Sequence, residues 1–78
     1  MQTIEQQIAD LDAALNADPA DADALYRRGS LHWRLNHRAQ ALTDLNRAAS
    51  LDPAGPAPAA VAHLNAILAF TAPDLYNP

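Results

Sequence analysis

Cysteine is missing from all 78 residues, which excludes disulfide staples and thiolate metal sites. Glycine occurs twice, too sparsely to build a phosphate-cradling loop. Aromatic side chains make up 5% of the chain, so any core must rest on leucine, isoleucine and alanine. A single core of this size supplies no more than about 3–5 kcal/mol, and a partner is the usual remedy. Positive charge is also scarce, with five basic against nine acidic residues and a net charge of −4. Nucleic-acid binding needs a concentrated basic face, so no nucleic-acid partner is expected, and Arg27, Arg28, Arg34 and Arg38 read as a solvated face. The longest apolar run, AAVAHLNAILAF, is interrupted by His63 and Asn65 and is too short to span a bilayer. With no basic segment leading into an apolar one, no membrane partner is expected and the reading is of a soluble, cytoplasmic protein.

Chemistry finds little support. His32 and His37 stand five residues apart, a spacing that points them to different helix faces. Ser30 has no base within a helical turn, and His63 reads as a polar or packing histidine. No catalytic residue, metal site or cofactor is expected, and the chain does not read as an enzyme. The aspartate pairs Asp10/Asp12 and Asp21/Asp23 suit solvated helix faces and the positive ends of helices.

What the chain does have is an internal echo. DLDAALNADP, from Asp10 to Pro19, returns 34 residues later as DLNRAASLDP, from Asp44 to Pro53. Between Ile4 and Ala20 seven of 17 positions are identical at that offset, and a fixed period of this length is the mark of a repeat architecture. Both copies end in Asp-Pro, a helix stop, because proline lacks an N–H and pushes the residue before it out of helical space.

Four helices follow from the pattern. The first runs from about Thr3 to Asn16, with Thr3 and Gln6 at capping-box spacing and Ile4, Ile8, Leu11 and Leu15 as its apolar stripe. The second begins at Asp21 or Ala22 and ends at Leu35, with Asn36 as a left-handed stop. The third spans about Arg38 to Leu51 and buries Ala41, Leu42, Leu45 and Ala48; the fourth starts at Pro58 and reaches about Phe70. Nothing alternates with period two, so the expected fold is all-α, with antiparallel helices and offset-34 pairs in equivalent environments.

The segment from Ala22 to Pro53 resembles the tetratricopeptide repeat, a 34-residue helix–turn–helix unit. Gly29, Ala41, Ala48 and Pro53 match the family pattern outright, and Leu25 and Leu45 are apolar replacements for its aromatic positions. Arg28 and His32 depart from it, which suggests shallower burial on that side of the helix. The resemblance implies one complete repeat, residues 22–55, flanked by two half repeats within a domain of residues 1–70, with 71–78 as a tail.

The resemblance also implies a function: a non-enzymatic protein–protein interaction module whose concave face holds a protein or peptide segment. Carried over by alignment, its groove residues on the second helix are Asp23, Tyr26, Ser30, Trp33 and Arg34. They fall on one helical stripe and include residue types that dominate binding interfaces. Trp33 either lines that groove or packs on the neighbouring helix. The family's clamp for chaperone C-termini carries lysine and asparagine where this chain has Tyr26 and Ser30, so that ligand is not expected.

On the same alignment Val61, Leu64, Ile67 and Leu68 of the fourth helix fall on the groove side, while Ala59, Ala62 and Ala66 take the packing positions. Either the prolines of AGPAPAA shift the register or the groove is strongly apolar. Leu64, Ile67 and Leu68 are therefore expected to bind peptide, and Val61, Leu64 and Leu68 to serve oligomerisation. In the tail, Leu75 and Tyr76 either belong to a frayed end or fold back onto an apolar surface. Repeat arrays need about three units and polar caps, so a homodimer that covers the fourth helix is expected. The alternative function is a self-assembling structural subunit whose groove and last helix serve oligomerisation alone.

Overall fold

The computed structural model describes residues 1–71, which form α1 (Ile4–Ala17), α2 (Ala22–Arg34), α3 (Arg38–Leu51) and α4 (Ala57–Thr71) in an all-α, antiparallel array. Leu75 and Tyr76 lie outside the described residues. Each helix packs mainly on its neighbours in sequence, most extensively α2 on α3.

Local chemistry sets the helix ends. Gln6 N donates to Thr3 Oγ1 at 3.1 Å and Thr3 N to Gln6 Oε1 at 3.0 Å, a reciprocal capping box at the start of α1. Ala24 N donates to Asp21 Oδ1 at 3.0 Å, which caps α2. Asn36 stops it with φ at 63°, a left-handed backbone that asparagine tolerates better than most residues. The repeated Asp-Pro endings adopt one geometry. Asp18 and Asp52 are both extended, at φ/ψ −141/91 and −137/80, and each donates its N–H to the carbonyl four residues back, at 2.9 and 2.8 Å.

The helices meet over small residues. A Cβ on Gly29 would stand 2.8 Å from Leu45 Cγ and 3.1 Å from the Ala41 carbonyl oxygen, so α2 and α3 approach closely only because it is glycine. Leu45 is the largest side chain fully buried, at 1% exposure, with Ala41 and Ala48 beside it on α3. Leu15, Ala24, Leu25, Ala48 and Ala57 form the buried cluster that ties all four helices together.

Three expectations are corrected. First, three of the offset-34 pairs, Asp10/Asp44, Leu11/Leu45 and Ala14/Ala48, do not share environments, while Ile8/Leu42 are both half-buried and Asp18/Asp52 and Pro19/Pro53 are exposed. Leu45, Ala48 and Asp44 are buried, whereas Leu11 is half-buried and Ala14 and Asp10 are exposed. The turns repeat because they are local; the burial of these three pairs does not, because α3 packs on α2 and α4, and α1 chiefly on α2.

Second, α4 is rotated from the register expected of it. Leu64 is buried at 6%, as is Ala57 at 2%, while Ala59, Ala62 and Ala66 are exposed. Leu64 therefore packs in the core. Val61, Ile67 and Leu68 are half-buried. The cause is the linker: Gly55 and Pro56 precede a helix that opens at Ala57, not at Pro58, and the apolar side of the helix turns inward.

Third, His32 and His37 are neighbours. The turn at Leu35 and Asn36 breaks the helical phase between them, and their Nδ1 atoms lie 3.2 Å apart. One ring must donate while the other accepts.

Candidate functional site

The main opening in the array is a cleft of about 510 Å³ between α1 and α2. Leu11, Tyr26 and Leu31 supply its apolar wall, and Gln2, Gln7, Asp10, Arg27, Ser30 and Arg34 its polar rim. It forms because Leu11 and Leu15 hold α1 against α2 at one end, while Gln7 and Asp10 are too polar to close the seam at the other.

Side-chain hydrogen bonds shape that rim. Gln2 Nε2 donates to Asp10 Oδ2 at 2.6 Å and Gln7 Nε2 to the Gln2 carbonyl at 3.3 Å, which draws the start of the chain over the cleft. Ser30 Oγ donates to the Tyr26 carbonyl at 2.9 Å and so keeps its lone pairs for a ligand. Arg27 pairs with Asp23 at 2.9 Å, both side chains being about two-thirds exposed (66% and 69%). An exposed pair of this kind contributes little to stability.

Of the residues expected to line a groove, Tyr26, Ser30 and Arg34 come together in this cleft. Asp23 does not; it borders a smaller gap shared with Tyr26, Asp52 and Ala57. Tyr26 thus stands between the two openings. Trp33 is half-buried, lines neither opening, and lies 5.6 Å from the Arg38 guanidinium in a cation–π contact. No residue of α4 lines the α1–α2 cleft. Sequence reasoning missed Gln2, Gln7, Asp10 and Leu11, the α1 side of the site; the offset of 34 that places Leu11 on Leu45 was the available clue.

Outside the cleft an ion pair locks the helices. Arg28 Nε and Nη2 donate to the two carboxylate oxygens of Asp44, both at 2.8 Å, and Nη1 donates to Asp12 at 3.0 Å. The Asp44 hydrogen bond raises the Arg28 pKa further above its ordinary value, against the opposing effect of burial, and Asp12 adds to the rise. Arg28 therefore stays charged and joins α1, α2 and α3 through one planar group.

Residues 22–54, which are α2, α3 and the turn after them, match the tetratricopeptide repeat family. This segment is similar to a tetratricopeptide repeat. No curated protein and no solved structure matches the chain. Within the matched segment, Gly29, Ala41 and Ala48 hold the close helix contacts already described, and Arg28 stands where the family pattern has leucine. A tetratricopeptide repeat suggests a protein–protein interaction module. Among the described residues no helix is long and apolar enough to cross a membrane, and no group of three or more histidine or acidic residues could hold a metal ion.

Proposed function

We propose that this chain is a non-catalytic protein–protein interaction module that holds a protein segment in the cleft between α1 and α2. The observation that carries the reading is the cleft's lining. A rigid aromatic, Tyr26, sits beside Leu11 and Leu31, with Arg27 and Arg34 on the rim. Binding energy concentrates on tyrosine and arginine anchors placed in partly desolvated pockets. Leu11 and Leu31 stand beside the Tyr26 ring, and Arg34 and the Asp23-paired Arg27 border this apolar anchor point.

The test is selection from a displayed peptide library on the immobilised full chain, followed by titration of the selected peptide. Tyr26→Ala should weaken binding by at least tenfold, which corresponds to about 1.4 kcal/mol. Arg34→Glu should weaken acidic peptides more than neutral ones. Trp33→Ala should leave affinity within about threefold, since Trp33 lies outside the cleft. Affinity that follows Trp33 and ignores Tyr26 would move the site elsewhere.

A further inference from the structure

The echo between α1 and α3 shows what the open side of α1 is built to meet. On α3 the stripe Ala41, Asp44, Leu45 and Ala48 is buried, with Leu45 and Asp44 against Gly29 of α2 and Asp44 paired to Arg28. Thirty-four residues earlier the same stripe reads Gln7, Asp10, Leu11 and Ala14. There Asp10 and Ala14 are exposed, and Gln7 and Leu11 are half-buried. α2 covers this stripe only in part: Leu11 packs toward it, and three of the four residues open into the cleft beside α2.

At the other end, α4 is a helix of the α2 kind. It buries Ala57 and Leu64, while α2 buries Ala24 and Leu31, the same two positions 33 residues earlier. In α2 that side meets α1, since Ala24 clusters with Leu15 and Leu31 borders the cleft with Leu11. In α4 it meets α3. The same offset carries Gly29, the close-contact residue of α2, onto Ala62, which is exposed. Between Ala57 and Phe70 the chain has no aspartate, glutamate, lysine or arginine, so this side of α4 can be desolvated without burying a charge. Phe70, 85% exposed, extends the apolar surface at its end.

We propose that the protein segment the cleft holds is α4 of a second copy. Resting on the cleft's reading as a protein-binding site, this names its partner. Ala62 of one molecule packs against Leu11 of the next at the place Gly29 holds against Leu45 within a molecule, with the helices set further apart by the Cβ that Gly29 lacks, so α4 of one copy covers the α1 stripe of another. The contact is head-to-tail and joins two different surfaces, so it can repeat and does not close after two copies. A two-fold dimer through α4, the arrangement expected from the sequence, covers one apolar end and leaves the α1 stripe open. Head-to-tail packing covers both. Asp10 is the charged group brought into contact, and it shares the cleft with Arg27 and Arg34.

Sedimentation velocity on the full chain over a concentration series tests this with two variants, Ala14→Glu on the α1 stripe and Ala62→Glu on α4. Both residues are exposed, and circular dichroism checks that helicity is kept. Wild type should grow past dimer as concentration rises, and each variant alone should associate at least tenfold more weakly. Mixed in equal amounts, the variants should form a heterodimer that grows no further, because one intact junction remains. If either glutamate disturbs folding, Asp10→Arg and Ala69→Glu repeat the test on the same two stripes. A dimer abolished by Ala62→Glu and untouched by Ala14→Glu overturns the proposal in favour of a two-fold α4 contact. Wild type that stays monomeric yet binds peptides through Tyr26 overturns the self-partner and leaves the cleft's function standing; if it also binds no peptide, both readings fall.

Discussion

At the scale of single residues, Arg28 stands where the tetratricopeptide pattern has leucine, and Asp44 is its partner. Asp44 is 5% exposed and depends on Arg28 for both carboxylate oxygens. Removing one member of a buried pair leaves the other desolvated and uncompensated, which costs more than the pair contributes net. Asp44→Asn should therefore destabilise by about 3 kcal/mol, the lower end of the range for buried pairs, because Arg28 keeps 24% exposure and its contact with Asp12. Arg28→Met should cost a similar amount. The double variant Arg28→Met/Asp44→Leu should recover most of the loss, since apolar groups of similar volume can replace a buried ion pair. Urea midpoints across the cycle measure the coupling, and additive losses in the double variant would show that the pair does not act as a unit.

At the scale of the element, the ends of the helices are specified more tightly than their middles. Asn36 is the non-glycine residue with positive φ, at 63°, among the described residues, and it turns the chain from α2 into α3. Asn36→Gly removes the Cβ that opposes this conformation and should leave stability unchanged or slightly improved. Asn36→Ala keeps the Cβ without the local hydrogen-bonding side chain that accepts from Arg38 Nε at 3.0 Å. It should cost about 1–2 kcal/mol, the strain of a left-handed residue. Thermal unfolding of the two variants side by side separates backbone strain from loss of the Arg38 contact, because both lose that contact and only alanine carries the strain.

For the whole molecule, stability should be graded along the array. The helices contact chiefly their neighbours in sequence, as in quasi-one-dimensional repeat proteins, where stability is a sum of unit and interface contributions. The chain spans 47 × 29 × 18 Å, an elongated shape with covered helices in the middle and half-covered ones at the ends. Hydrogen exchange should be slowest in α2 and α3, where Gly29, Ala41 and Leu45 close the tightest contact, and fastest in α1 and α4. Protection in α1 and α4 should rise with protein concentration if the ends join head-to-tail, because binding to the folded form stabilises it by mass action. Uniform protection across all four helices would instead mark a single cooperative unit.

Much of this was legible in the sequence because it is decided locally. A proline stops its helix whatever surrounds it, and so the two Asp-Pro turns match in geometry although their helices differ in burial. The Thr3–Gln6 box, the Asp21 cap and the Asn36 stop depend on residues within four positions of each other, and the 34-residue period carried the family. The tertiary structure decided what depends on a neighbour's position. The turn before α4 is one residue longer than the turn before α2, and Leu64 comes to face inward, a rotation that periodicity cannot see because a helix has the same stripe in any register. Arg28 reads as a solvated charge until the fold brings Asp12 and Asp44, each 16 residues away, to its guanidinium. The α1 side of the cleft was hidden for the same reason: Asp10 and Leu11 repeat Asp44 and Leu45 letter for letter, and only the helices packed around them make one pair a core and the other an open surface.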